Sequence, residues 1–406
     1  MGDGIIPGIL PCTMQHADVL SQPVRIGPLT APNRIVMPPL VIWKADETGM
    51  VTDYHVAHYR RSAGPGLIVV EATAIAPEGR LAATQLGAWS DDQIVGLSRL
   101  ARVIADAGGL PGIQLHHAGG STSLKNTCGL PPRVPSLVRG SPDAATEMSA
   151  KDIEHTIASF AHAARRALDA GFRVIELHGA HGYLISQFLS PDTNRRPDRW
   201  GGSPDSRRSF LLEALRSVRH EISRAGRADS AALTVRLGLA ASPPSSLSLE
   251  EGCVAAIAAE QAGADLLDVS HGGPIDDELA SQIAASFAAN FAAKGSGRAD
   301  EADGWSSTLR LAAIAKTTVS VPVIGVGGIR TPAHAARAVI AGIADLVAVG
   351  RGTLADPAWA RKALGLDERP IEPCRHCEPH CYWFKEAPRC PARKRLATKG
   401  EQEPVA

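Results

Sequence analysis

The chain has 406 residues, 44% of them hydrophobic, enough to bury one long barrel or two smaller domains. Its 42 Lys and Arg balance 42 Asp and Glu, and no basic run occurs, which argues against an electrostatic nucleic-acid footprint. No uncharged apolar stretch reaches the ~18 residues of a membrane span, and Met1 to Gln22 lacks the basic-then-apolar order of a signal peptide. A cytoplasmic protein is therefore expected, with residues 1–22 as a loose extension.

Short apolar runs alternate with helical patterns along the chain. Strands are expected at 34–37, 67–71, 112–115, 174–177, 233–237, 266–270, 322–326 and 345–349. Most are continuous apolar runs, as in parallel strands buried on both faces. The clearest helical patterns are 91–107, 149–170, 204–224, 249–262 and 332–341; several end at a glycine, as at Gly108, Gly171, Gly263 and Gly342. Eight such repeats point to a (β/α)8 TIM barrel of the α/β class, spanning 23–366. A doubly wound sheet is the alternative, but no G-x-G-x-x-G follows the first strand. Residues 286–307 are expected to form a long loop, and 367–406 a Cys- and Pro-containing tail.

Active sites of such barrels lie at the C-terminal strand ends. Strand three runs into Gln114 through Gly120, and strand four into His178, His181 and Tyr183. Strand five carries Arg236, strand seven leads to Gly327 and Gly328, and strand eight to Gly350 and Arg351. Bare glycine N–H groups near a helix start can cradle a phosphate, with Arg351 adding a charged contact; the alternative is that these glycines only make tight turns. A His178–His181 pair can bind zinc, but no third ligand stands at an obvious spacing. Two histidines can instead donate to an oxygen where charge develops, beside Tyr183 as proton donor. Arg236 would hold negative charge on a reduced cofactor.

These residues resemble the Old Yellow Enzyme family of FMN-dependent oxidoreductases over about 23–364. The carriers are Asn33-Arg34-Ile35-Val36-Met37, Val70 through Ala74, Gln114 through Gly119 and, most specifically, His178 through Arg207. The resemblance implies that Pro38, Ala72, Gln114 and Arg236 contact the flavin ring. It implies that Gly327, Gly328, Gly350 and Arg351 surround the FMN phosphate, that His178 and His181 bind the activating group of a small-molecule alkene, and that Tyr183 protonates it. NAD(P)H would reduce the flavin, and flavin N5 would then pass hydride to the alkene. Three positions depart from the family's habit: Val41 stands for Thr or Cys, Trp43 for Tyr, and Gly120 for Arg.

The tail carries Cys374, Cys377, Cys381 and Cys390, a C-x2-C-x3-C run with a fourth thiol after eight residues. Four thiolates suit zinc or a 4Fe-4S cluster. The run resembles the cluster loop of the dienoyl-CoA reductase and trimethylamine dehydrogenase branch, although the last gap is shorter than expected and the branch's further dinucleotide domain is not in these 406 residues. Three functions are thus in play. One is a stand-alone ene-reductase. A second is a dienoyl reductase or a flavin dehydrogenase or demethylase module of that branch, handing electrons to a redox partner protein. The third is a non-catalytic barrel acting as a binding partner. The sequence leaves oligomeric state open.

Overall fold

The computed structural model describes residues 16–293, 304–378, 380–385 and 387–400. A short antiparallel pair comes first: β1 (Val24–Ile26) and β2 (Leu29–Ala31). The barrel strands are β3 (Ile35–Met37), β4 (Leu67–Ala74), β5 (Leu110–His116), β8 (Val174–Gly179), β9 (Ala232–Gly238), β10 (Leu266–Ser270), β11 (Val323–Val326) and β12 (Leu346–Ala348). Between β5 and β8 lies a two-stranded flap, β6 (Arg133–Val134) with β7 (Thr146–Glu147). The eight barrel strands close in sequence order with every pair parallel, so the expected TIM barrel forms.

The continuous apolar runs are explained by two cores. Outward-facing strand residues such as Ile113, Ile175, Leu233 and Val347 pack against the helices. Inward-facing Leu67, Leu110, Val174, Ala232, Leu266 and Leu346 pack with Ile26 and Leu29 of the β1–β2 hairpin. That hairpin plugs the N-terminal mouth of the barrel, leaving the C-terminal face for ligands. Burying each such aliphatic side chain contributes roughly 1.5–3 kcal/mol.

Every predicted strand lies within about three residues of its observed bounds. The long loop expected at 286–307 is corrected. Residues 286–293 belong to the helix Asp277–Ala293, and Ser307–Ala315 is a helix capped by Ser306, whose Oγ accepts from the Leu309 N–H. Alanine-rich sequence without a clear apolar stripe was misread as loop, although alanine is the strongest helix former. Residues 294–303 lie outside the described residues, as do 1–15 of the expected extension.

The tail is docked rather than loose. Glu372 N–H donates to Asp356 Oδ2 at 2.9 Å, and Asp356 Oδ2 also accepts from the buried Lys362 Nζ at 2.8 Å. Arg393 Nε donates to Leu354 O, and Trp383 is buried with its ring 5.5 Å from that of His58. Among the described residues no helix is long and apolar enough to cross a membrane.

Candidate active site

Side chains alternate across a strand, so residues two apart share a face. On the inner face of β5, Leu110 and Gly112 give way to Gln114 and His116; on β8, Val174 gives way to Glu176 and His178. On β9, Ala232 is followed by Thr234 and Arg236, and on β10 Leu266 by Asp268 and Ser270. The barrel interior therefore changes from apolar to polar toward the C-terminal face. Register places Gln114 beside Glu176, and Arg236 between His178 and Asp268.

Gln114 Nε2 donates to Glu176 Oε1 at 2.9 Å, and Arg236 Nε lies 3.4 Å from Asp268 Oδ2. Burial pushes the Glu176 carboxyl up to about 8, aided by Asp268 and opposed by Arg236. Burial also raises Asp268, against the pull of Arg236. Glu176 Oε2, Asp268 Oδ1 and Arg236 Nε are buried without hydrogen-bond partners. A buried polar group left unpaired costs about 1–3 kcal/mol, so this layer is built to meet further polar atoms.

Arg236 opens into a cavity of about 470 Å³ at the C-terminal face, together with Pro38, Gly327, Gly328, Gly350 and Arg351. Gly327 and Gly328 follow β11 with φ of 118° and 71°, which side chains rarely adopt. A Cβ on Gly327 would lie 2.0 Å from Thr308 Oγ1. Bare backbone, Arg330 and Arg351 at one end and Arg236, whose Nε makes no hydrogen bond, at the other match an anionic phosphate joined to a polar ring, as in FMN. Six of the eight expected flavin contacts thus meet in one cavity wall. Gln114 stands two strands from Arg236 and donates to Glu176 on the strand between, while Ala72 is buried on β4, its carbonyl accepting from Gln85 Nε2. The loop bearing Val41 and Trp43 is held by the buried Glu71, whose Oε2 accepts from the Ile42 N–H at 2.8 Å.

His178, His181 and Tyr183 come together at the end of β8. The ring centroid of Tyr183 is 4.8 Å from that of His178 and 6.4 Å from that of His181. His178 Nε2 meets His181 Nδ1 at 3.0 Å, and His181 Nε2 meets Ser270 Oγ at 2.8 Å. His178 Nδ1 meets His116 Nδ1 at 3.0 Å. Burial, then neighbouring positive groups, keeps the His178 and His181 imidazoles well below their ordinary range, hence neutral at pH 7. Burial raises the Tyr183 phenol, keeping its proton in place. A second cavity of about 680 Å³ adjoins this turn, with Gly120, Gly182, Arg195 and Pro243 in its wall. Sequence reasoning assigned no role to His116, Glu176, Asp268 or Ser270. Their signal was a polar residue at alternate positions of an otherwise apolar strand.

Among the described residues no three His, Cys, Asp or Glu side chains gather as a metal site, and Cys374, Cys377, Cys381 and Cys390 are free. Cys374 lines the 470 Å³ cavity, whereas Cys381 and Cys390 pack against the apolar core, Cys390 at the start of the helix Pro391–Thr398. That helix docks on the barrel through the buried Arg393 and Leu396, Arg393 Nε donating to Leu354 O.

These buried imidazoles make stability depend on pH. His55, His58, His116 and His117 are lowered by burial to about 4, 3, 3 and 4, alongside His178 and His181. Below their ordinary value of 6.5 the unfolded chain takes protons that the native state refuses, so stability falls on acidification. Glu71, Glu176 and Asp268, raised by burial, act oppositely, but the six imidazoles outnumber the three carboxyls. The urea midpoint is expected to be lower at about pH 5 than at pH 7; a higher one would contradict these assignments.

A closed parallel barrel, a phosphate-sized cradle after β11 and β12, and a His–His–Tyr cluster at the C-terminal face together define a flavin barrel of the Old Yellow Enzyme type. The chain belongs to the NADH:flavin oxidoreductase / NADH oxidase family, which it matches over residues 19–365, and so to the FMN-dependent NAD(P)H oxidoreductases. It is 38% identical over 375 residues to an NADH oxidase of Thermoanaerobacter brockii, covering 91% of this chain but only 54% of that protein. It is 36% identical over 361 residues to an NADPH dehydrogenase of Geobacillus thermodenitrificans, covering 87% of this chain and 97% of that one. Its fold superposes on an old yellow enzyme homologue from Zymomonas mobilis with a TM-score of 0.70 and 25% identity, over 87% of this chain and 94% of that one. The chain thus spans about half the length of one curated relative and nearly all of another.

Proposed function

We propose that the protein is an ene-reductase, using NAD(P)H to reduce the activated C=C bond of a small molecule. The observation that carries this reading is the neutral His178–His181 pair, edge-on to Tyr183 and beside Arg236 of the cofactor-sized cavity. FMN, when bound, supplies hydride transfer between nicotinamide and substrate. Gly327, Gly328, Gly350 and Arg351 would hold its phosphate, and Pro38 and Arg236 of the same cavity would border its ring, with Gln114 behind them on Glu176. His178 and His181 hydrogen-bond the carbonyl or other activating oxygen, stabilising the negative charge that grows there as the β-carbon is reduced. Tyr183 gives its proton to the α-carbon; burial keeps it protonated until that charge appears. The adjoining 680 Å³ cavity has room for the remainder of the substrate.

Steady-state NADPH oxidation with cyclohexenone tests the reaction, and Tyr183→Phe tests the proton donor. The variant is expected to slow the oxidative half-reaction by about 100-fold and to spare flavin reduction by nicotinamide, since only the former delivers a proton to carbon. Equal slowing of both halves would remove this role from Tyr183.

A second reading, a module that hands electrons to a redox partner protein, is favoured by one observation: Cys374, of the C-x2-C-x3-C run, lines the cofactor-sized cavity. Near-stoichiometric iron with acid-labile sulfide in anaerobically prepared protein would support a 4Fe-4S cluster and this reading. One zinc per chain would support a structural site, and neither metal would leave the thiols as packing groups.

A further inference from the structure

We propose that His116 is a positioning residue that fixes which ring nitrogens of His178 and His181 carry protons, so that both present an Nε2–H to the substrate oxygen. The inference rests on the reading that this histidine pair binds that oxygen.

The argument begins with an unbroken chain of contacts. His116 Nδ1 faces His178 Nδ1 at 3.0 Å, His178 Nε2 faces His181 Nδ1 at 3.0 Å, and His181 Nε2 faces Ser270 Oγ at 2.8 Å. Each link needs one proton between its two heavy atoms. Each imidazole is buried and holds one N–H, because burial disfavours the charged form at all three. Only two arrangements satisfy every link. In the forward one, His116 Nδ1–H donates to His178 Nδ1, His178 Nε2–H to His181 Nδ1, and His181 Nε2–H to Ser270 Oγ. In the reverse one every proton sits on the opposite atom, and neither His178 nor His181 has an Nε2–H.

Two considerations select the forward arrangement. His116 is fully buried and its Nε2 has no partner. The reverse arrangement puts a hydrogen on that nitrogen and strands a buried N–H, whereas the forward one leaves only a bare acceptor there, the less rare of the two defects among backbone groups. The forward arrangement also gives both histidines the donors that an oxyanion requires. A substrate oxygen then competes with His181 Nδ1 for the His178 N–H and with Ser270 Oγ for the His181 N–H. The tautomer of a histidine is set by the bond its other nitrogen makes, and His116 makes that bond for His178. It reaches the site because it alternates with Gln114 on β5, directly beside β8.

The test compares His116→Leu with His116→Asn in the FMN-loaded protein. The Asn amide nitrogen can occupy the place of the imidazole Nδ1 and donate to His178, holding the forward arrangement; Leu cannot. His116→Leu is expected to slow enone reduction by about tenfold or more, less than outright loss of an oxyanion donor, and His116→Asn to restore most of the rate. Nitrogen-15 shifts of the labelled histidine rings supply a readout that packing alone would not move. His178 Nδ1 is expected to be a bare acceptor in the wild type and in His116→Asn, and a mixture in His116→Leu. A protonated His178 Nδ1 in the wild type overturns the proposal, as does His116→Leu with wild-type rate and shifts. The wild-type shifts and the Asn variant decide the matter even where Leu impairs folding. Wild-type turnover in a His178→Ala, His181→Ala variant would instead overturn the underlying reading of the pair, which the ring shifts do not depend on.

Discussion

Replacing His178 and His181 together with alanine is expected to leave the protein yellow and to slow enone reduction by at least 100-fold. The two rings lie 4.8 and 6.4 Å from that of Tyr183, both neutral, at the open end of the barrel. Loss of one preorganised oxyanion donor typically costs on the order of 100- to 1,000-fold in rate. The proposed phosphate contacts lie after other strands, at Gly327, Gly328, Gly350 and Arg351, so cofactor retention is the control. Truncation also leaves His116 Nδ1 and Ser270 Oγ without their partners, which costs about 1–3 kcal/mol for each buried group left unpaired. A modest loss of stability is therefore expected alongside the kinetic effect. Stopped-flow oxidation of the reduced enzyme by cyclohexenone measures it directly; a wild-type rate would mean that the substrate oxygen is held elsewhere.

Gly327→Ala is expected to abolish stable FMN binding. At φ 118° an alanine is strained by about 1–3 kcal/mol before any contact is considered. Its Cβ would then lie 2.0 Å from Thr308 Oγ1 and 2.8 Å from Ser306 Oγ. Ser306 cannot simply turn away, because its Oγ donates to Gly327 O at 3.1 Å and accepts from the Leu309 N–H as the cap of its helix. Relief then comes from moving the loop whose backbone lines the proposed phosphate site. Each 1.4 kcal/mol is tenfold in affinity, so a loss of more than tenfold is expected. The variant should emerge colourless from gel filtration while remaining folded by circular dichroism. Full flavin content with unchanged affinity would show that the phosphate lies away from Gly327.

The sequence by itself determined the barrel. Eight short apolar runs, most of them continuous, separated by helical patterns point to parallel strands buried on both faces, and all eight strands appear where those runs lie. It also marked His178, Tyr183, Arg236 and the glycines after β11 and β12, because chain position alone puts a residue at a strand's C-terminal end. What the sequence did not reveal was which residues from different strands meet. His116 and Ser270 are 154 positions apart. They become ends of one hydrogen-bonded chain only because β5 and β10 both flank the β8–β9 pair in a closed ring whose register is set by backbone pairing. The hairpin plug escaped notice for a similar reason: three-residue strands carry too short a pattern, and their burial comes from the barrel mouth they fill. The tail shows the converse. Its close cysteine spacing points to a shared metal, whereas the sulfur surroundings follow from how Trp383, Arg393 and Leu396 dock on the barrel, with Cys374 lining the cavity and Cys381 and Cys390 packed against the apolar core. Periodicity fixes which face a residue occupies, while only the closed sheet decides what it faces.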